Sequence, residues 1–185
     1  MIISEKKNFE RKKFKNLMDK SSTFDRKKVE INVKLYVESH LKKRRKINHI
    51  GIYWPIKNEV DIRFLNDKYS LALPRCNKNK ELVFCKWDGT QLTKDCEGIL
   101  SPDYSLKLSY KMISIIFTPC LAVDKNLTRL GYGGGYFDRL REDENWRAIP
   151  CIGVLTSNCV SHNLLIRADW DIPLSGFITE KQILV

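Results

Sequence analysis

No apolar run in this 185-residue chain approaches the ~18 consecutive residues that a membrane-spanning helix needs. The opening stretch, MIISEKKNFERKK, has no apolar core of the kind a secretory signal carries. Histidine is scarce: His40, His49 and His162 form neither H-E-x-x-H nor any other ligand spacing, which argues against a zinc site. Six cysteines are present, at 76, 85, 96, 120, 151 and 159, but there is no C-x-x-C pair and no regular spacing. Cys120 and Cys151 sit in apolar runs where a thiol acts as a small hydrophobe, so reduced thiols and a cytoplasmic location are expected. Internal repeats and low-complexity linkers are missing too. The expectation is one soluble domain over residues 1–185, a monomer that does not engage membranes. Its basic helical part is expected over 1–46 and its α/β core over 47–185.

What the chain has in excess is positive charge, placed unevenly. Residues 1–49 hold 16 Lys and Arg against 6 Asp and Glu, a net of +10 out of the +11 of the whole chain. Such a concentration attracts an anion, whether nucleic acid or nucleotide, although most of these lysines are expected on solvated helix faces. At 43% hydrophobic and 30% charged, the composition is that of a globular protein with a full core.

Periodicity supplies the elements. Apolar residues at Val29, Val33, Tyr36, Val37 and Leu41 follow the spacing of one helix face, with Ser22 and Asp25 placed to cap its start. A helix over 5–18 puts Phe14, Leu17 and Met18 together. HIGIYWPI (49–56) reads as a buried strand and EVDIRFLNDKY (59–69) as a helix. SLALPRC, ELVFCKW, MISIIFTP, CIGVLT and GFITEKQILV read as further strands. Continuous apolar runs such as MISIIF suit strands covered on both faces, so the fold class is α/β: a layered sandwich with a mostly parallel central sheet flanked by helices.

The segment RLGYGGGYFDRLR (129–141) carries the chemistry. It does not fit the dinucleotide fingerprint: Tyr136 stands where the last glycine belongs, and no acid lies between 145 and 168. It lacks the lysine of a phosphate loop as well. Consecutive glycines can still turn successive N–H groups toward one centre, a nest for phosphate oxygens. YFDRLR beyond them can open a helix whose first amides favour negative charge. The interleaved Arg129, Tyr132 and Tyr136 set the segment apart from a flexible Ser/Asn loop.

RLGYGGGYFDR resembles the signature R-x-G-x-G-x-G-Y-[YF]-D of the 5-formyltetrahydrofolate cyclo-ligases (methenyltetrahydrofolate synthetases). IIFTPCLAVDKNLTRLGYGGG, IGIYWPIKNEVDI, GILSPD and ADWDIPLSGFITE resemble other segments of that family, in the same order. The resemblance implies an enzyme using ATP and Mg²⁺ to cyclise 5-formyltetrahydrofolate to 5,10-methenyltetrahydrofolate through a phosphorylated formyl group, releasing ADP and phosphate. It implies ATP contacts from Lys7 and Arg11, from Arg129 and Leu130, and from the run Gly131, Tyr132, Gly133, Gly134, Gly135, Tyr136 and Phe137. Arg129 and Asp138 would be the catalytic pair, Asp138 and Asp171 the magnesium carboxylates. Trp54, Glu59, Tyr132 and Tyr136 would meet the folate, the two tyrosines serving equally well as packing residues.

The chain departs from the family pattern near its end, with Ile166 and Trp170 before the final aspartate and Ser175 after it. Leu127 also replaces a frequent glycine in the turn before Arg129. Those changes leave open an ATP-binding relative that has lost catalysis. A nucleic-acid-binding module is the third reading. Against it, Phe9, Phe14, Phe24 and Tyr36 are expected largely on apolar helix faces, and no RNP, helix-turn-helix or zinc-finger pattern occurs.

Overall fold

The computed structural model describes residues 3–42, 48–89 and 91–185, the side chains of 40–42 excepted. The side chain of Leu41 and the 46/47 boundary therefore lie outside the described residues. Helix α1 (Ile3–Asp19) leads through a short turn into α2 (Thr23–Lys42). Ser22 caps α2: its Oγ accepts from the Asp25 amide at 3.0 Å and donates to the Asp25 carboxylate at 2.7 Å. The strands follow as β1 (His49–Gly51), β2 (Leu71–Cys76), β3 (Leu82–Trp87), β4 (Thr93–Lys94), β5 (Leu100–Ser101), β6 (Ile113–Pro119), β7 (Ala122–Val123) and β8 (Arg129–Leu130). Two short helices, α3 (Tyr136–Leu140) and α4 (Glu144–Arg147), precede β9 (Cys151–Val154), β10 (Gly176–Ile178) and β11 (Ile183–Leu184).

Seven strands form one sheet in the order β11-β10-β9-β6-β1-β2-β3. The five from β10 to β2 run parallel, while β3 and β11 close the two edges antiparallel. Each face carries its own apolar cluster. Phe14 and Met18 of α1 pack with Ala72, Phe84, Ile116 and Phe177 on one side. Val29, Val33, Tyr36 and Val37 of α2 pack with Ile50, Leu73, Phe117 and Ile152 on the other. Coverage on both faces is why these strands are continuous apolar runs, each fully buried Val, Ile or Phe contributing roughly 1.5–3 kcal/mol.

Three elements differ from expectation. The run HIGIYWPI pairs only over His49–Gly51; beyond it the chain leaves the sheet toward Pro55, which has no N–H for a ladder. Residues 59–69 hold only a five-residue 3₁₀ helix over Arg63–Asp67, because the Asp61 carboxylate takes the Arg63 amide (3.0 Å) that a longer helix would need. GFITEKQILV is two strands joined by a tight turn in which Thr179 Oγ1 accepts from the amides of Lys181 and Gln182. Of the four N-terminal aromatics, Phe14 and Tyr36 are buried, whereas Phe9 and Phe24 are 71% and 66% exposed. Helix periodicity places Phe9 and Phe24 off the buried stripe, on helices that cover opposite faces of the sheet.

Candidate active site

The chain adds β2 and β3 outward from β1, then crosses to β6 on the other side of β1 and continues outward through β9 to β11. Loops leaving the carboxyl ends of β1 and β6 diverge there, which opens a crevice of the kind that receives ligands in α/β sheets. A cavity of about 790 Å³ occupies it, walled by Tyr53 and Trp54 after β1 and by Pro119 at the end of β6. Every residue singled out from the sequence for ATP, folate or metal lines this one cavity.

The β7–β8 hairpin presents Arg129. Its turn is built around buried Asp124, whose Oδ1 accepts from the Asn126 and Thr128 amides, both at 2.9 Å, and whose Oδ2 accepts from the Leu165 amide at 2.8 Å. Leu127 adopts φ 61°, the left-handed conformation that a glycine takes without strain, so the turn keeps its shape at a steric cost. Arg129, its side chain 9% exposed, donates through Nη1 to Thr118 Oγ1 at 3.1 Å and through Nη2 to both Asp138 oxygens at 3.1 Å. Burial pulls the Arg129 pKa down, but Asp138, first among the groups that oppose it, helps bring the net shift upward, so the guanidinium stays charged.

In the glycine loop, Gly133 and Gly135 take φ 108° and 66°, and a Cβ on Gly133 would come within 3.3 Å of the Arg11 guanidinium. The loop lies close under α1, where Arg11 Nε donates to the Gly131 carbonyl at 3.0 Å. Four residues earlier, Lys7 pairs with Asp171 of the C-terminal segment, and the Asp171 Oδ2 also accepts from the Ala168 amide at 2.7 Å. The K-x-x-x-R spacing thus puts both cations on the cavity side of α1, one turn apart. Helix α3 has only five residues, too few for a strong dipole, so loop amides and these cations carry the positive potential.

Another part of the lining is aromatic and acidic. Trp54 is backed by the Arg63 guanidinium, 4.2 Å from its ring, and edge-on by Trp87; Asp61 holds Arg63 in place at 2.6 Å. The Glu59 Oε2 accepts from the Ile56 amide at 2.8 Å, while its buried Oε1 makes no hydrogen bond of ordinary length and the Tyr132 hydroxyl lies near the carboxylate. Desolvation pushes the Glu59 pKa up to about 7, with the Tyr132 hydroxyl and the Ile56 amide moderating the rise. Burial and the Glu59 charge raise the Tyr132 phenol strongly in turn. Tyr136 hydrogen-bonds Glu97, and Tyr132 reaches the Met18 sulfur at 3.7 Å, so both tyrosines have packing partners as well as cavity faces. Sequence reasoning did not pick out Thr118, Glu97 or Arg63. Thr118 ends an apolar strand and Glu97 lies in a polar turn, where neither carries a pattern signal. An acid two residues before Arg63, which follows Trp54 by nine residues, was the one readable hint.

The family model of the 5-formyltetrahydrofolate cyclo-ligases matches residues 3–180. The chain belongs to that family. The cyclo-ligase fold extends to the solved structures of two 5,10-methenyltetrahydrofolate synthetases. One, from Mycoplasma pneumoniae, is 25% identical with a TM-score of 0.71, the match covering 94% of this chain and 98% of that one. The other, from Aquifex aeolicus, is 27% identical with a TM-score of 0.72, over 100% of this chain and 92% of that one. A 5-formyltetrahydrofolate cyclo-ligase of Haemophilus influenzae is 28% identical over 146 residues, 73% of this chain and 77% of the relative. In this chain the departures near the end fall mostly outside the cavity. Ser175 exchanges hydrogen bonds with Cys151 between β9 and β10, and Ile166 packs on the outer side of α1. Trp170 alone reaches the cavity, at its rim.

Proposed function

We propose that the cavity binds Mg·ATP and 5-formyltetrahydrofolate together and closes the formyl group onto N10. The observation that carries this is that Arg129, the glycine loop, Lys7 and Arg11 line the same cavity as Trp54 and Glu59. The first set suits a triphosphate and the second a flat heterocycle bearing N–H donors. Among the described residues no group of three or more His, Cys, Asp and Glu side chains could hold a metal unaided. Asp138 and Asp171 nevertheless fit magnesium: they are oxygen donors on the phosphate side, and Mg²⁺ commonly binds through one or two carboxylates plus substrate phosphates. When bound there, the ion would neutralise charge on the phosphates.

A formyl oxygen on nitrogen is a poor leaving group. In the reaction we propose, it attacks the γ-phosphorus of ATP and ADP departs. N10 then adds to the activated carbon, its proton is lost, and phosphate leaves with the former formyl oxygen, giving the N5–C–N10 amidinium. Such phosphoryl transfer depends on positioning and charge neutralisation. Arg129, fixed by Thr118 and Asp138, offers its guanidinium to the transferring group; Lys7 and Arg11 draw the phosphates toward the loop amides. Glu59 Oε1 accepts from the substituted pyrimidine edge of the folate, and the Trp54 wall excludes water from the activated carbon. The test is isotopic. With ¹⁸O in the formyl group, one label per turnover should appear in inorganic phosphate; label retained elsewhere contradicts a phosphorylated formyl group.

A further inference from the structure

Arg141 is only 5% exposed, yet it has no place in the chemistry above. Its guanidinium donates through Nη1 to the Ile172 carbonyl at 3.1 Å, while Nε is buried without a partner. Burial lowers its pKa, the nearby Arg129 and Arg147 act in the same direction, and Asp138 and the Cys151 thiol oppose them. A buried cation that donates to a carbonyl, beside a second buried arginine, is costly to keep; an apolar side chain of similar length would fill the space at less cost.

Its position offers a reason. Arg141 closes α3, its amide bonded to the carbonyls of Phe137 and Asp138, both at 3.1 Å. The acceptor of its side chain, Ile172, directly follows Asp171. Arg141 therefore ties the helix that bears Asp138 to the segment that bears Asp171. Arg147 steadies the junction by donating Nε to the Arg141 carbonyl at 3.0 Å. The Asp171 turn is otherwise held by local bonds (its amide to the Ala168 carbonyl, 3.0 Å) and by Lys7, which the proposed reaction redirects toward phosphate. Once Lys7 turns away, the Arg141–Ile172 bond is a non-local tether that remains on that turn.

We infer that Arg141 is a positioning residue that sets the separation of Asp138 and Asp171 for a divalent cation. The inference rests on the reading of those two aspartates as metal carboxylates. Mn²⁺ binding, followed by electron paramagnetic resonance with a non-hydrolysable ATP analogue, tests it without turnover. Arg141→Met should fold, keep its thermal midpoint, and bind Mn²⁺ roughly tenfold more weakly, the low end of what outer partners of metal ligands contribute. Arg141→Met combined with Asp171→Asn should bind no more weakly than Asp171→Asn alone, since one acts through the other. Should the methionine variant not fold, Arg141→Lys, which keeps the charge but loses the fork, should show an intermediate loss. Wild-type Mn²⁺ affinity in Arg141→Met, or additive losses in the double variant, would overturn the role of Arg141 and leave the metal reading intact. Unchanged affinity in both Asp138→Asn and Asp171→Asn would instead remove the metal reading, and this inference with it.

Discussion

Glu59 shows how one side chain's surroundings set its chemistry. An ordinary glutamate titrates near 4.5, but here desolvation beside Tyr53 and Tyr132 raises the folded value to about 7. The native protein therefore holds this proton more tightly than the unfolded chain. The stabilisation is full below about pH 4.5 and is lost as pH rises through about 7, a change on the order of 3 kcal/mol. Glu59→Gln does not titrate, so its stability relative to wild type should be greater at about pH 8 than at about pH 4, as chemical denaturation can measure. The same titration governs binding. If the ionised Oε1 accepts from the folate, the folate KM of the wild type should fall between about pH 6 and pH 8, and that of Glu59→Gln should be flat. Asp138 makes a second residue-scale case. Asp138→Asn keeps the shape but removes the charge that holds Arg129 and the metal, so kcat should drop by about 100-fold or more while folate KM changes little. A wild-type rate at limiting Mg²⁺ would reduce Asp138 to a partner of Arg129. The glycine motif made Arg129 and Asp138 legible in the sequence; the burial of the Glu59 Oε1 was not, because it results from residues far away in the chain.

Among the elements, the glycine loop and α1 work as one unit. A Cβ on Gly133 meets both an unfavourable φ of 108° and the Arg11 guanidinium 3.3 Å away. Gly133→Val should therefore move the loop and α1 apart and weaken ATP binding by at least tenfold in calorimetry, with the far-ultraviolet circular dichroism unchanged. ATP affinity at the wild-type level would remove the loop from the nucleotide site. The helices and long strands were readable because their periodicity is set locally: Val29, Val33 and Val37 recur on one face, and Ile113–Pro119 is mostly apolar. The failures have local causes of another kind. Asp61 captures a backbone amide and cuts the helix expected over 59–69 to five 3₁₀ residues, and strand β1 stops pairing at Gly51, where the chain turns toward Pro55. Neither competitor is visible in an apolar pattern.

On the scale of the whole molecule, charge and topology point to the same place. Half of the net +10 of residues 1–49 belongs to two helices on opposite faces of the sheet, and among the described basic residues of that stretch only Lys7 and Arg11 line the cavity. Lys7→Ala with Arg11→Ala should raise the ATP KM by tenfold or more, each charge-assisted contact contributing about 1.5–3 kcal/mol. The paired change Lys27→Ala with Lys28→Ala, on the exposed side of α2, should leave it unaltered. Nucleotide affinity should also depend on salt far less steeply than binding to a duplex, where each phosphate contact adds about −0.9 to the log–log slope.

The most direct test of the account mixes the purified protein, 5-formyltetrahydrofolate and Mg·ATP, and follows absorbance at the band of the methenyl product while ADP is measured in parallel. The account predicts that the band grows with one ADP released per methenyl group formed, and that it does not grow when ATP is left out. Tight ATP binding with no methenyl product, at any folate concentration, would contradict it.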